Sequence, residues 1–397
     1  MAKRNSRARR SIRRKAQSKA NNDQQELLPA LSSLTELPAF DDVHPTDAQL
    51  KAYEDYREDV LAREGSNHEL FLGCVVRLDR GFPAVLTAQD VFRAEFAARL
   101  TKGDFYRVAV GDWVCVRSPQ GHEMGVIEKI LPRQSDIARW KGGSRGERQT
   151  LAANVDVVLV VQAIEEWRIT SGRIARSAVV ARDCGARVAV VLTKADLAGA
   201  ELVEASVTHV REVLGDECPV CVVASAEPMA ELSSIADAAR RAGGSWGVES
   251  VRALVPAGQV GIMLGPSGVG KSTLLNALLG REALQTGSVR EVDGVGRHTT
   301  VARRMVAIPG AGTIVDEPGL RTLQLVGHER GLAKVFPDIA QAAKACKFRD
   351  CTHTHEPGCE VLARFGSQAS TVRLDAYLSL ANEMRQSAQT LDPDIVL

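Results

Sequence analysis

The chain of 397 residues lacks any long apolar run, which excludes a membrane-spanning helix. It also lacks an apolar stretch behind its basic start. Ser11-Ile12-Arg13-Arg14 leads into more polar sequence, so a secretory signal is excluded and a disordered basic tail in the cytosol is favoured over an organellar transit peptide. No acid precedes Asp23, whereas Lys3, Arg4, Arg7, Arg9, Arg10, Arg13, Arg14, Lys15 and Lys19 crowd the same stretch. The formal net charge of +1 therefore conceals a strong local asymmetry. Cysteines are few, and eight of them in a chain without a secretory signal point to reduced thiols or a metal, not a disulfide framework. What is present is an ordinary globular composition, 45% apolar and 25% charged, long enough for two or three domains.

Residues 1–66 read as a tail, first basic and then acidic through Asp41, Asp42, Asp47, Glu54, Asp55, Glu58 and Asp59, mostly disordered with a short helix over Leu50 to Ala62. Residues 67–135 hold short β-rich runs such as Cys74-Val75-Val76 and Trp113-Val114-Cys115-Val116, separated by Gly, Pro and Asp turns. That pattern predicts a small barrel of the OB type, a fold that commonly binds nucleic acid. Residues 136–150, with Lys141-Gly142-Gly143-Ser144-Arg145-Gly146, read as a flexible basic linker. The runs Val157 to Val161 and Val188 to Leu192 are continuously apolar, as in strands buried on both faces of a parallel sheet. Residues 151–330 are thus expected to form a doubly wound α/β domain, and 331–397 a Cys/His cluster with a helical tail near Ser367 to Gln389.

Gln259 to Leu264 predicts a strand running into Gly265-Pro266-Ser267-Gly268-Val269-Gly270-Lys271-Ser272, and Thr273 to Leu279 continues as a helix. Strand, glycine loop and helix together form the context of a phosphate loop. Its N–H groups and helix N-terminus cradle phosphates, Lys271 reaches the β and γ oxygens, and the Ser272 hydroxyl binds Mg2+. Thr313-Ile314-Val315-Asp316-Glu317-Pro318 resembles the acidic segment of transporter-type ATPases. Only about 45 residues separate Lys271 from Asp316, too few for their helical insertion, and no Leu-Ser-Gly-Gly lies between. Asp316-Glu317-Pro318-Gly319 is better read as an Asp-x-x-Gly sensor, in which Asp316 holds Mg2+ through water and the Gly319 N–H meets the γ-phosphate.

Base choice rests on Thr193-Lys194-Ala195-Asp196 at the end of an apolar strand. The Asp196 carboxylate accepts from guanine N1–H and N2–H, a donor pair that adenine lacks, and the Lys194 stem covers the base. Ser225-Ala226 matches the loop that offers an N–H to guanine O6. This motif precedes the phosphate loop, the reverse of an ordinary GTPase, so the α/β domain is predicted to be a circularly permuted P-loop G domain. Between loop and sensor, Gly296-Arg297-His298-Thr299-Thr300 holds the switch: either Thr299 or Thr300 fits Mg2+, and His298 is the candidate to position water. Leu320 stands where a water-orienting Gln is usual, so unaided hydrolysis should be slow.

Cys346, Cys351, His353 and Cys359 supply the ligand set of a closed, structural zinc site, with His355 as a competing ligand. Cys218 and Cys221 look like a redox or metal pair, but Cys221 enters an apolar run, which favours buried structural thiols.

With these motifs in order, residues 70–390 closely resemble the ribosome-small-subunit-dependent GTPase A (RsgA) family. The resemblance implies a cytoplasmic, monomeric hydrolase with an N-terminal OB fold, a permuted G domain and a C-terminal zinc domain. It implies GTP/GDP, Mg2+ and one Zn2+ as ligands, and the small ribosomal subunit and its rRNA as partners in late subunit maturation. The long tail, Thr193 in place of Asn, Glu317 in place of Thr or Ser, and Val301 in place of a third Thr depart from the family pattern.

Overall fold

The computed structural model describes residues 36–66, 69–79, 82–98, 100, 108–118, 124–141, 147–165, 171–224, 231–282, 303–316, 325, 327–366 and 371–391. The chain divides into two units between Leu37 and Pro38, and the larger holds every element named below.

An arm leads into it. Phe40–Asp42 form one 3-10 turn, and α1 spans Asp47–Glu64, longer at both ends than the sequence predicts. Its start is fixed by a reciprocal capping box, in which the Gln49 N–H donates to Thr46 Oγ1 at 3.3 Å and the Thr46 N–H to Gln49 Oε1 at 2.9 Å. Gly65 ends it at φ 72°. The acidic half of the expected tail is therefore folded. The correction has a physical cause in residues the charge count overlooks: Val60 is fully buried, the Tyr56 hydroxyl donates to Glu128 at 2.9 Å, and the Phe40 ring meets Trp113 edge-on.

Five strands, β1 (Leu70–Asp79), β2 (Phe82–Thr87), β3 (Val91–Phe96), β4 (Trp113–Arg117) and β5 (Gly125–Ile130), pair in the order β1-β2-β3-β5-β4. Strand β4 then pairs back onto β1, closing a barrel around Val75, Val85, Ala94, Val114, Val116 and Ile127. This is the closed five-stranded, OB-like barrel expected from the short β-rich runs.

Residues 136–150 are not a featureless linker. Strands β6 (Asp136–Lys141) and β7 (Glu147–Ala153) form an antiparallel hairpin from Asp136↔Ala153 to Lys141↔Glu147, and residues 142–146 lie outside the described residues. Its root is apolar, with Ile137 and Leu151 fully buried. The Arg133 guanidinium ties that root to the barrel, donating at 2.7 Å to each oxygen of the buried Asp112 and at 2.8 Å to Thr150 Oγ1.

The α/β domain carries β8 (Val157–Ala163), α2 (Ser171–Asp183), β9 (Arg187–Thr193), α3 (Ala200–Leu214), β10 (Val220–Val222), α4 (Glu231–Arg241), β11 (Ser245–Trp246), α5 (Val248–Arg252), β12 (Val260–Leu264), α6 (Lys271–Leu279), β13 (Arg303–Ala307) and β14 (Thr313–Asp316). Its sheet order is β11-β10-β9-β8-β12-β14-β13, parallel except for β13. Leu159, Val161, Val191, Met263, Leu275 and Ile314 fill the core. Strand β13 also pairs with β1 through Arg77↔Arg304 and Leu78↔Arg303, so barrel and α/β domain share one twelve-stranded sheet.

The chain continues through α7 (Glu329–Val335), α8 (Pro337–Ala343) and α9 (Glu360–Phe365) to α10 (Thr371–Leu391), the expected helical tail. Arg373 pins α10, pairing with Asp338 at 2.9 Å while its guanidinium lies over the Phe336 ring. Among the described residues no helix is long and apolar enough to cross a membrane.

Candidate nucleotide site and metal centre

Three strands bring the nucleotide motifs together at their C-terminal ends, where ligands bind in open α/β sheets. Thr193 ends β9, Leu264 ends β12 just before the glycine loop, and Asp316 ends β14. The loop backbone needs its glycines. A side chain at Gly265 would stand 2.4 Å from the Val161 carbonyl oxygen, and Gly270 adopts φ 93° directly before α6. Lys271 folds back onto the loop, donating from Nζ to the Gly265 and Pro266 carbonyls at 2.7 and 2.8 Å. Burial lowers its pKa, and the nearby Asp316 charge opposes that shift. Burial raises the pKa of Asp316 itself, against Arg304 and Lys271, which favour its charged form. Ser267 and Ser272 are exposed, so the Ser272 hydroxyl is open to a ligand.

The end of β9 that carries the Thr193–Asp196 motif is fastened to the glycine loop by a bond the sequence does not reveal. Buried Thr193 donates from Oγ1 to the Val269 carbonyl at 2.5 Å, inside the glycine loop. That gives a role to a residue which looks like a departure from the family's Asn. Lys194 takes the left-handed conformation, φ 60° and ψ 32°, and the next three residues form a 3-10 turn holding Asp196. Ala195 is buried, and its N–H donates to the Val223 carbonyl at 3.3 Å. Lys194 and Asp196 remain half-buried, accessible to a base. Ser225, Ala226, His298, Thr299, Thr300 and Gly319 lie outside the described residues. Reasoning from sequence missed Arg304, which stands opposite Asp316 in the β13–β14 register with its Nε 3.9 Å from Oδ2. Its position next to a sensor carboxylate follows from strand pairing, which no local motif encodes.

In the loop between α8 and α9, up to the N-cap of α9, the side-chain donor atoms of Cys346, Cys351, His353 and Cys359 all lie within 4.8 Å of one another. His353 Nδ1 is 3.6 Å from Cys346 Sγ and 3.4 Å from Cys359 Sγ, and the two sulfurs are 3.9 Å apart. A tetrahedral zinc with bonds of about 2.3 Å to sulfur and 2.0–2.1 Å to nitrogen requires edges of about 3.8 and 3.6 Å, so the cluster has the right size. Of the two histidines, His353 is the one the fold brings into the cluster. His355 is exposed and bonded to Thr354, while His353 is buried beside the Tyr377 ring. The Glu356 carboxylate shapes the loop by accepting from the Thr352 hydroxyl and from the N–H groups of Thr352, Thr354 and His355, and the hydroxyl bond above all lowers its pKa. Cys218 and Cys221 are buried apart from this centre; burial pushes the Cys218 thiol up to about 11 and raises that of Cys221.

The family model of the RsgA GTPase matches residues 130–241 and 240–326, a span that begins at the last residue of β5 and includes both the Thr193–Asp196 motif and the glycine loop. The small ribosomal subunit biogenesis GTPase RsgA of Streptomyces coelicolor is 40% identical over 326 residues, 81% of this chain and 83% of that protein. The RsgA of Leptospira interrogans serogroup Icterohaemorrhagiae serovar Lai is 34% identical over 290 residues, 72% of this chain and 75% of its own length. Two solved structures share the fold. YjeQ from Thermotoga maritima superposes with a TM-score of 0.55 at 22% identity, covering 80% of this chain and 99% of its own. YloQ, described as a circularly permuted GTPase, gives 0.53 at 21% identity, covering 81% and 96%. The strand ending in Thr193 preceding the strand that enters the glycine loop, Asp316 at the end of the strand beside it and the extent of these matches lead to one conclusion: this chain belongs to the RsgA GTPase family.

Proposed function

We propose that this protein hydrolyses GTP during late maturation of the small ribosomal subunit, binding its rRNA and turning over when the subunit stimulates it. The observation that carries the reading is the convergence of the glycine loop, Lys271, Asp316 and Thr193–Asp196 at neighbouring strand ends, with Thr193 bonded to the loop. In this reading Asp196 reads guanine, and residues 265–273 and Lys271 hold the phosphates. Ser272 and Asp316 hold Mg2+, which when bound neutralises charge on the β and γ oxygens. Thr299 or Thr300 completes the switch, the Gly319 N–H meets the γ-phosphate, Ser225 and Ala226 close over guanine O6, and His298 positions the attacking water.

Cys346, Cys351, His353 and Cys359 hold zinc in a structural role, supported by the donor set and its spacing. The barrel at 67–135, the zinc-binding helices at 331–397 and the basic N-terminus grip rRNA around the G domain of 151–330, and the protein works as a cytoplasmic monomer. Multiple-turnover hydrolysis of GTP and ATP, each with and without purified small subunits, tests this. The expected result is slow turnover alone and an acceleration on the order of ten to a thousand with subunits and GTP, about 1.4 to 4 kcal/mol in the barrier. Equal use of ATP, or no response to subunits, refutes it.

A further inference from the structure

We propose that Phe348, in the loop between α8 and α9, stacks an unpaired base of single-stranded RNA while Lys344, Lys347 and Arg349 take the neighbouring phosphates. Cys346 and Cys351 bracket the four residues Lys347-Phe348-Arg349-Asp350, so both ends of this stretch are anchored in the Cys/His cluster. The Lys347 N–H adds a third anchor, donating to the Gly358 carbonyl at 3.2 Å. Phenylalanine is among the side chains most often buried. Phe348 is instead 41% exposed, and it is the one exposed aromatic residue among the described residues. Lys347 Nζ stands 5.4 Å from the centre of its ring, within cation–π range.

The charge along this loop selects the partner. Lys344, Lys347 and Arg349 are all exposed, against the single acid Asp350, and neither Lys344 nor Arg349 forms an ion pair among the described residues. Lysine is depleted at the core of protein–protein interfaces, so a ring set among free cations is poorly suited to a protein pocket. A polyanion with accessible aromatic faces answers both features: an aromatic ring offers a stacking surface to any base, and the cations follow the backbone. Bases in a duplex keep their faces inside the stack, so the fit is to a single strand.

This inference rests on the reading that the C-terminal region grips rRNA, and the experiment separates the two. Binding of full-length protein to labelled oligouridine, and to the same strand paired with oligoadenylate, is followed by fluorescence anisotropy across a salt series, alongside binding to purified small subunits. A strand carrying 5-iodouridine, which photocrosslinks to stacked aromatic rings, maps the contact by mass spectrometry. Wild-type protein should crosslink at Phe348. Phe348→Ala, at unchanged zinc content, should weaken single-strand binding by about fivefold or more while duplex affinity and salt slope hold, because the lost contact is uncharged. Phe348→Trp should restore the affinity, and Arg349→Gln should flatten the single-strand salt slope by about 0.7. If wild-type protein binds neither RNA nor small subunits, the rRNA reading itself fails. If it binds subunits but no crosslink forms at Phe348, or if Phe348→Ala loses affinity only for subunits and not for the naked strand, stacking is overturned and the ring is left to a protein contact or to none.

Discussion

Replacing Thr193 by Val exchanges a hydroxyl for a methyl at nearly constant shape. Packing is preserved, and what is lost is the donor to the Val269 carbonyl at 2.5 Å. Thr193 is buried, so no water replaces that donor without opening the strand end. A buried carbonyl left without its partner costs about 1–3 kcal/mol. Because Val269 sits inside the glycine loop, part of the loss appears as fold stability and part as the ordering that the loop must undergo when it closes on phosphate. The expected result is a lower unfolding stability and a lower GDP affinity whose free-energy losses together come to about 1–3 kcal/mol, with GDP affinity down by about two- to tenfold. The ratio of GDP to ADP affinity should stay unchanged, since the proposed function has Asp196, and not Thr193, read the base. Thr193→Asn restores a donor of longer reach and should recover most of the affinity. Denaturant unfolding and calorimetric titration with both nucleotides check this. Wild-type values for both quantities in Thr193→Val would refute the claim that this bond holds the two loops together.

Asp196→Asn replaces an acceptor by an amide donor, and GTP affinity should fall at least about tenfold while xanthosine triphosphate gains, as competition titrations would reveal. The purified protein should contain about one equivalent of zinc, and Cys346→Ser should loosen the C-terminal helices while leaving GDP binding nearly intact, checked by elemental analysis and limited proteolysis. The Cys218 thiol, pushed up to about 11 by burial, should stay protonated and resist alkylation near pH 8 in the folded protein, becoming reactive only on unfolding. Arg133→Met leaves the Asp112 carboxylate buried without its guanidinium, and stability should fall by about 3–5 kcal/mol in denaturant unfolding. Part of that loss should be relieved below neutral pH: burial already raises the pKa of Asp112 and removing Arg133 raises it further, so protonation stabilises the variant as pH falls.

Local chemistry made the nucleotide and metal centres legible. Gly265 to Ser272, Thr193 to Asp196 and the Cys/His spacing are each motifs of neighbours in sequence, and the fold brings the first two to strand ends of one sheet and gathers the Cys/His side chains into one cluster. The choice of His353 over His355 turned on burial, which spacing alone does not give. The hairpin looks like a linker in sequence because its glycine-rich tip dominates the composition, while Ile137 and Leu151, which root it, lie at its base and look unremarkable. The acidic arm hides its fold for a similar reason. Seven carboxylates outweigh Tyr53, Tyr56 and Val60 in any average, yet those few residues dock the helix on the barrel. Arg304 was invisible because its partners, Arg77 and Asp316, come from strands far from it or across a turn.

The docked arm has a practical consequence for handling the protein. A chain begun at residue 67, where the barrel's own strands start, would strip away Phe40 from Trp113, Tyr53 from the Leu70 carbonyl and Tyr56 from Glu128, and would also remove the Val43 bridge to Gly258 next to the phosphate-loop strand. Interior side chains would become a sticky exterior, and such a truncate should precipitate or self-associate where one begun at Pro38 stays soluble.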